Sequence, residues 1–470
     1  QECGLTEKKD CHEKIYAFKR QEIDIKHYFD KALQIIGTRN YPELIKGVRG
    51  TSNEDHTPEH LVKGILRAQH KIYANKDGTT RYDMTEMPIT HFKPKEIGTS
   101  VAQLLKMGYT HDIHEKTLTN EEQIIEIKPQ DVILPNSEES LEAGAQEVLC
   151  NVGNFVDELL EKLYEQKKYY NFKNKEDLIG HLIVALSPHT SAGIVGRIIG
   201  FSKTQGFLTH PSFHSIMRRD CDGDEAGVML LMDMFLNFSR KYLPTHRGAT
   251  QDAPLVLTSK LIPKEVDDMV FNMDVVWNYP LELYEAALEY KNPWDVKIDV
   301  MGNHLGTPRE YAGFGFTHDT TDLNSGVRCS SYKSLPTMEE KVKGQMELAE
   351  KIRAVDVDKV ATLVIERHFI RDIRGNLTKF SKQQFRCVGC NEKFRRPPLA
   401  GTCYKCDGKI IFTISEGSIV KYLEPSIGLT EKYNIDPYLQ QNLELTKMRI
   451  ESLFGKDPEK QEGLGKWFGG

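Results

Sequence analysis

Apolar positions along this chain change period several times, and the changes mark out the elements to expect. Residues 21–70 are polar and read as mostly helical, with a small basic element at Lys46-Gly47-Val48-Arg49-Gly50. Residues 71–83 read as a hairpin around Asp77-Gly78, a dipeptide that suits the positive-φ positions of a tight β-turn. Short strands are expected at Pro88 to Phe92 and from Gln123 to Leu134. In the second of these, Ile125 and Ile127 alternate with Glu126 and Lys128, as in a half-buried strand. A helical stretch runs from Ser137 toward Tyr170, loosened near Asn151-Val152-Gly153, with Phe155, Leu159, Leu160 and Leu163 on one face. Residues 181–224 are apolar and punctuated by glycine, and a very apolar helix is expected over 226–238. Residues 253–335 read as mixed strands and loops, with a glycine-aromatic stretch from Tyr311 to His318. Thr337-Met338-Glu339-Glu340 forms a capping box that starts a helix, and a second helix follows Asp356.

The stretch 181–224 ends in Asp220-Cys221-Asp222-Gly223-Asp224. Acids two apart on extended backbone point the same way, and the glycine lets the chain bend so that they converge. Converging carboxylates repel unless a cation sits between them, and hard Mg²⁺ prefers such oxygen ligands. Asp222 and Asp224 are the best ligands and Asp220 the third, in a site suited to phosphoryl or nucleotidyl transfer. An EF-hand loop is excluded: counted from Asp220, glycine falls at the fourth position and the twelfth residue is Leu231. Arg218 and Arg219 precede the acids, and guanidinium groups suit phosphate; the bland reading is that they merely offset the acids. His210 and His214 are four apart, but Pro211 argues against a shared helix face and a His-ligated zinc.

Composition narrows the class. With 470 residues the chain has room for several cores, and 28 % charged against 39 % hydrophobic residues fits a globular protein. The net charge of −6 removes any global basic footprint, so contact with nucleic acid must be local. The longest apolar run, Val228 to Phe238, is broken by Asp233 and Asn237 and falls short of the roughly 18 residues of a membrane span, so no membrane partner is expected.

Nine cysteines are too few for a disulfide scaffold. Four of them form Cys387-x-x-Cys390 and Cys403-x-x-Cys406 with twelve residues between, which predicts a closed structural Zn²⁺ site. Lys393, Arg395 and Arg396, with Phe394, lie between the pairs and suit a phosphate backbone, or a solvated loop. Cys3 and Cys11 are candidates for the remnant of another zinc ribbon, or are unrelated cysteines near a chain end. Cys150 and Cys329 read as packing residues.

Several segments together resemble the large subunit of archaeal family D DNA polymerase. They are Ser187-Pro188-His189-Thr190-Ser191-Ala192-Gly193, Gly196-Arg197-Ile198-Ile199-Gly200-Phe201, His210-Pro211 and Arg218 to Glu225. The likeness continues through Asn237 to Pro244, Asp252 to Thr258, Gly313 to Asp319, the cysteine module, and His91-Phe92-Lys93-Pro94-Lys95-Glu96. Members of that family carry Asn where this chain has Asp220. The resemblance implies an α+β fold built on a double-psi β-barrel of the two-barrel polymerase type, with helical insertions and a C-terminal zinc ribbon. It implies Mg²⁺ at Asp222 and Asp224, DNA-directed DNA synthesis from primer-template DNA and dNTP, and basic site residues among which Lys93 and Lys95 are candidates. It also implies a heterodimer with a small exonuclease subunit and an archaeal cytoplasmic location. The tail residues Gln461, Leu464, Trp467 and Phe468 resemble the peptide that binds the sliding clamp PCNA.

The expected organisation is a ribbon remnant at 1–20, a helical and hairpin connector at 21–84 and a catalytic barrel region at 85–335. A helical region at 336–384, a zinc ribbon at 385–415, a helical region at 416–455 and a flexible tail at 456–470 follow. A chain that begins at Gln1 suggests the downstream product of an intein-interrupted or split gene, inactive without an upstream barrel. The competing functional class is a non-catalytic module that holds DNA and the clamp within a replication complex.

Overall fold

The computed structural model describes residues 24–39, 44–45, 59–75, 77–187, 190, 192–218, 223–238, 256–315, 322–325, 328–331, 334–412, 414 and 416–454. The chain forms two compact units, 1–329 and 330–470.

The first unit runs α1 (Ile25–Ile36), α2 (Leu61–Gln69), β1 (Tyr82–Pro88), β2 (His91–Phe92), α3 (Val101–Lys106), β3 (Ile125–Glu126) and β4 (Asp131–Pro135). It continues with α4 (Ala145–Lys162), β5 (Leu182–Leu186), β6 (Ala192–Ser202), β7 (Gly206–Thr209) and α5 (Pro211–Ile216). β8 (Glu225–Leu230), α6 (Leu231–Asn237), β9 (Val256–Thr258) and α7 (Leu281–Leu288) complete it. Strands are ordered β4-β7-β1-β8-β5-β6-β9, and β4 also pairs with β6. Six strands therefore close on themselves as a ring of mixed direction, with β9 added beside β6. β1 runs parallel to β7 and β4 to β6, while β8 is antiparallel to β1 and β5. Closure pairs each of the six strands on both sides, which removes exposed edges.

Both faces of β4, β5, β7 and β8 are buried, so alternate residues enter different cores, whereas β1 buries only the face of Met84 and Glu86. Val132, Leu134, Ile198 and Phe207 join the core under α4, whereas Ile133, Ile199 and Leu208 join one built with Phe92, Leu104 and Ile125. This two-sided burial explains the first correction. Residues 225–230 are a strand, not the start of the helix expected over 226–238, and only 231–237 are helical. A short continuous apolar run does not distinguish a buried strand from a buried helix.

Three further expectations change. The helix expected from Ser137 begins at Ala145 and runs unbroken through Gly153. Glycine is there for space rather than flexibility, because a Cβ would sit 2.1 Å from the ring of Phe172. The Asp77-Gly78 turn exists, with Gly78 at φ +94°, but residues 71–75 form no strand. The turn is instead tied to α6: a Cβ on Gly78 would lie 2.4 Å from the carbonyl oxygen of Asn237, and Asp233 accepts the Thr80 amide at 2.8 Å. The region after 253 holds, besides strand and loop, the helix α7 and several single 3₁₀ turns.

The second unit runs α8 (Met338–Lys351), α9 (Val357–Leu363), a π-helical turn (Val364–Phe369), α10 (Ile370–Lys382), β10 (Phe385–Cys387), β11 (Lys393–Phe394), β12 (Ile410–Phe412), α11 (Glu416–Val420), α12 (Leu423–Lys432) and α13 (Pro437–Phe454). Both expected helix starts are present. The Thr337 hydroxyl accepts the Glu340 amide while Glu340 accepts the Thr337 amide, and Asp356 caps α9. No helix among the described residues is long and apolar enough to cross a membrane.

Candidate functional site

One end of the ring gathers the candidate chemistry. β1 and β7 both finish there, with Pro88 opposite Thr209, and β8 starts there, with Glu225 opposite Thr85. The connection from α5 to β8 carries the acidic run. Asp224 is half-buried, and its carbonyl accepts the Glu86 amide at 2.9 Å, which docks the end of the run onto β1. Gly223, at φ +104°, supplies the bend that the sequence reading requires. Arg218 is exposed and holds φ +62°, a conformation that ends the preceding helix. Arg219, Asp220 and Asp222 lie outside the described residues. So do Cys3, Cys11, Gln461, Leu464, Trp467 and Phe468.

Lys93 and Lys95 follow β1 from this same end, on the turn after β2. Glu122 holds the exposed Lys95 ammonium at 2.5 Å and raises its pKa. Such an exposed pair is worth little, so a phosphate can displace it. His91 is largely buried, and burial lowers its pKa to about 4.

Near the point where Asp224 docks on β1 lie buried polar groups, of which the sequence points to His210 and His214 but not to Glu86. Glu86, on the inward side of β1 next to Met84, and His214, on α5, have fully buried side chains. The His214 Nδ1 is 3.7 Å from Glu86 Oε1, and none of the four polar atoms of the two side chains has a hydrogen bond among the described residues. His210 caps α5 by accepting the Ser212 amide at 3.1 Å, with Pro211 as the first helical residue. Burial, with His214 adding to it, pushes the His210 pKa down to about 3. The parity of β1 is the available sequence signal, since it places Glu86 on the same face as Met84.

A second cluster sits at the same end of the ring, where β4 begins. Arg197 makes a bidentate pair with Asp131 at 2.8 and 2.7 Å, and the Tyr109 hydroxyl donates to Asp131 at 2.6 Å. Asp131 and Tyr109 are buried and Arg197 is partly buried, and the arrangement braces β4 against β6. Nothing in local spacing marks it, because its members are 22 and 66 residues apart.

In the second unit the four cysteines converge. Their sulfurs all lie within 4.8 Å of one another, with Cys387–Cys406 at 3.4 Å and Cys390–Cys403 at 3.5 Å. A tetrahedral zinc with bonds of about 2.3 Å has sulfur–sulfur edges of about 3.8 Å, so the donor set fits that ion closely. Gly389 and Gly408 make room, since a Cβ on Gly408 would fall 2.8 Å from the Cys387 sulfur. Lys393, Arg395 and Arg396 are exposed on and after β11. Phe394 is buried in the module's own core with Ile410, which corrects its reading as an aromatic available to nucleic acid.

Residues 37–341 match the family model for the DNA polymerase II large subunit DP2, catalytic domain. The chain is similar to the DNA polymerase II large subunit of Methanocella arvoryzae, 46 % identical over 470 residues, covering 98 % of this chain and 41 % of that protein. It is similar to that of Pyrococcus furiosus, 51 % identical over 446 residues, 94 % of this chain and 35 % of that protein. The likeness to that of Archaeoglobus fulgidus is 48 % over 456 residues, 97 % of this chain and 39 % of that protein. The chain thus spans about two fifths of the length of these curated relatives.

Proposed function

Because the chain belongs to the family of the DNA polymerase II large subunit DP2 catalytic domain, we propose that it carries the nucleotidyl-transfer centre of an archaeal DNA-directed DNA polymerase. The observation that carries this reading is that the matched span includes the closed ring and the acidic connection at its end. The ring is read as the double-psi β-barrel of two-barrel polymerases, and the four-cysteine module as a zinc ribbon that stabilises the second unit.

In this reading Asp222 and Asp224 hold Mg²⁺, with Asp220 as a further ligand. When bound, the ion makes the primer 3′-hydroxyl more acidic and offsets the charge of the dNTP triphosphate. The protein's own residues do the rest. The Glu86 amide fixes the backbone of Asp224 against β1. Arg218, Arg219, Lys93 and Lys95 bind phosphate, and Lys393, Arg395 and Arg396 bind the backbone of primer-template DNA. The small exonuclease subunit and the sliding clamp are the expected partners, the clamp through Gln461, Leu464, Trp467 and Phe468.

The test is primer extension by the complete large subunit together with the small subunit. Asp222→Ala and Asp224→Ala should each abolish extension while DNA binding persists. Extension at the parental rate in both variants would remove the catalytic reading and leave an assembly role.

A further inference from the structure

The second unit contains a cleft of about 640 Å³ that none of the roles above uses. One wall is a face of α8, and the other is the π-helical turn with the start of α10. Positions 364, 367, 368 and 371 line it, the spacing of a single helical face. A π turn inside a helix is rare and is frequent at functional sites.

The walls are cationic. Lys341 stands on one side, Arg367 and Arg371 on the other beside His368, and among the described residues Asp372 is the one carboxylate lining the cleft. Asp372 accepts a hydrogen bond from Asn376 at 2.9 Å. Glu366 lies 3.6 Å from the Arg367 guanidinium, but both side chains are more than half exposed, so a polyanion can replace that pair. In a chain of net charge −6 this concentration of positive charge is local. The floor is apolar: the buried Phe369 stacks on Tyr422 with ring centres 4.9 Å apart and planes 11° apart, beside Val342 and Val364, and the Lys421 ammonium lies 4.8 Å over the Tyr422 ring, adding a cation.

Basic walls over an aromatic floor are the two elements with which proteins hold unpaired nucleotides. The volume suits a small ligand rather than a duplex. We propose that this cleft binds single-stranded nucleic acid, with the phosphates held by Lys341, Arg367 and Arg371 and a base set toward the Phe369–Tyr422 floor. None of the residues that line the cleft belongs to the acidic connection or is Lys393, Arg395 or Arg396.

The test is fluorescence anisotropy of a labelled oligothymidylate with the zinc-loaded 470-residue chain, titrated over a range of salt. Arg367→Ala with Arg371→Ala should weaken binding about tenfold, and the slope of log K against log salt should flatten by about 1.4, two charges at about 0.7 each. The Arg367→Lys, Arg371→Lys pair should keep the parental slope. It also provides the comparison if thermal melting shows that the alanine pair has destabilised the unit. Asp222→Ala and Asp224→Ala, measured in parallel, should leave this binding unchanged, so the polymerase reading and this one can fail separately. Competition by unlabelled oligothymidylate far beyond that of equimolar inorganic phosphate or thymidine monophosphate identifies a strand rather than a free phosphate as the ligand. Parental affinity and slope in the folded alanine pair would overturn the proposal, as would equal competition by polyglutamate or by duplex DNA.

Discussion

Replacing Glu86 by Leu takes away the carboxylate that faces His214 inside the ring. The two side chains are fully buried, 3.7 Å apart, and neither has a hydrogen bond to any other described group. Removing one leaves the other polar, desolvated and without a counterpart, and an unsatisfied buried polar group costs about 1–3 kcal/mol. The same cost is expected from His214→Leu. The Glu86→Leu, His214→Leu double variant removes both polar groups together and should lose less than the sum of the single losses, with a coupling of about 0.5–3 kcal/mol. Glu86→Gln keeps the shape and one acceptor and should cost about 1 kcal/mol. The assay is urea unfolding followed by tryptophan emission in a Trp467→Phe background, so that Trp277 and Trp294 report on the first unit. Additive losses in the cycle would show that the two groups do not depend on each other and would refute the reasoning.

Burial pushes the Asp233 carboxyl up to about 6, against the opposing hydrogen bonds from Thr80 and Asn237. The folded chain therefore holds a proton between about pH 4 and 6 that the unfolded chain has released, and stability falls by about 3 kcal/mol as pH rises through that window. Asp233→Asn should abolish this component, read as the difference between parent and variant in urea unfolding at pH 4 and pH 7; a constant difference would contradict it. Cys403→Ala should lower zinc content by mass spectrometry from about one ion per chain toward none and unfold the module, since such ions contribute about 10–16 kcal/mol to small domains. Gly78→Ala combines a positive φ with a Cβ 2.4 Å from a backbone oxygen and should lower the melting temperature of the first unit, at a cost of at least about 1–3 kcal/mol. An unchanged melting temperature would mean that the turn can leave Asn237.

What the sequence disclosed follows from the range of the forces involved. Helix starts set by local hydrogen bonds were legible at Thr337 and Asp356, because cap and partner are three residues apart. The cysteine module was legible because its ligands carry their own spacing. Residues 225–230 were misread as helix because their partners in β1 and β5 are distant in sequence and both faces of the strand are buried, which leaves no alternation to read. Gly153 was misread as a weak point because Phe172, which requires it, comes from outside the helix. The acidic run was visible through its composition, whereas Glu86 and His214 near it are brought together only by the closed ring. The same holds for Arg197 and Asp131.

The order in which the ring's strands leave the ribosome has its own consequence. β1 is the first of the six to be made, yet Thr85 pairs with Gly206 on one side and with Glu225 on the other. At about 5–20 residues per second, its two bare edges wait roughly 6–30 s for their neighbours. During translation this strand is the point most open to wrong partners, and holdase chaperones are expected to favour nascent chains halted before Leu230.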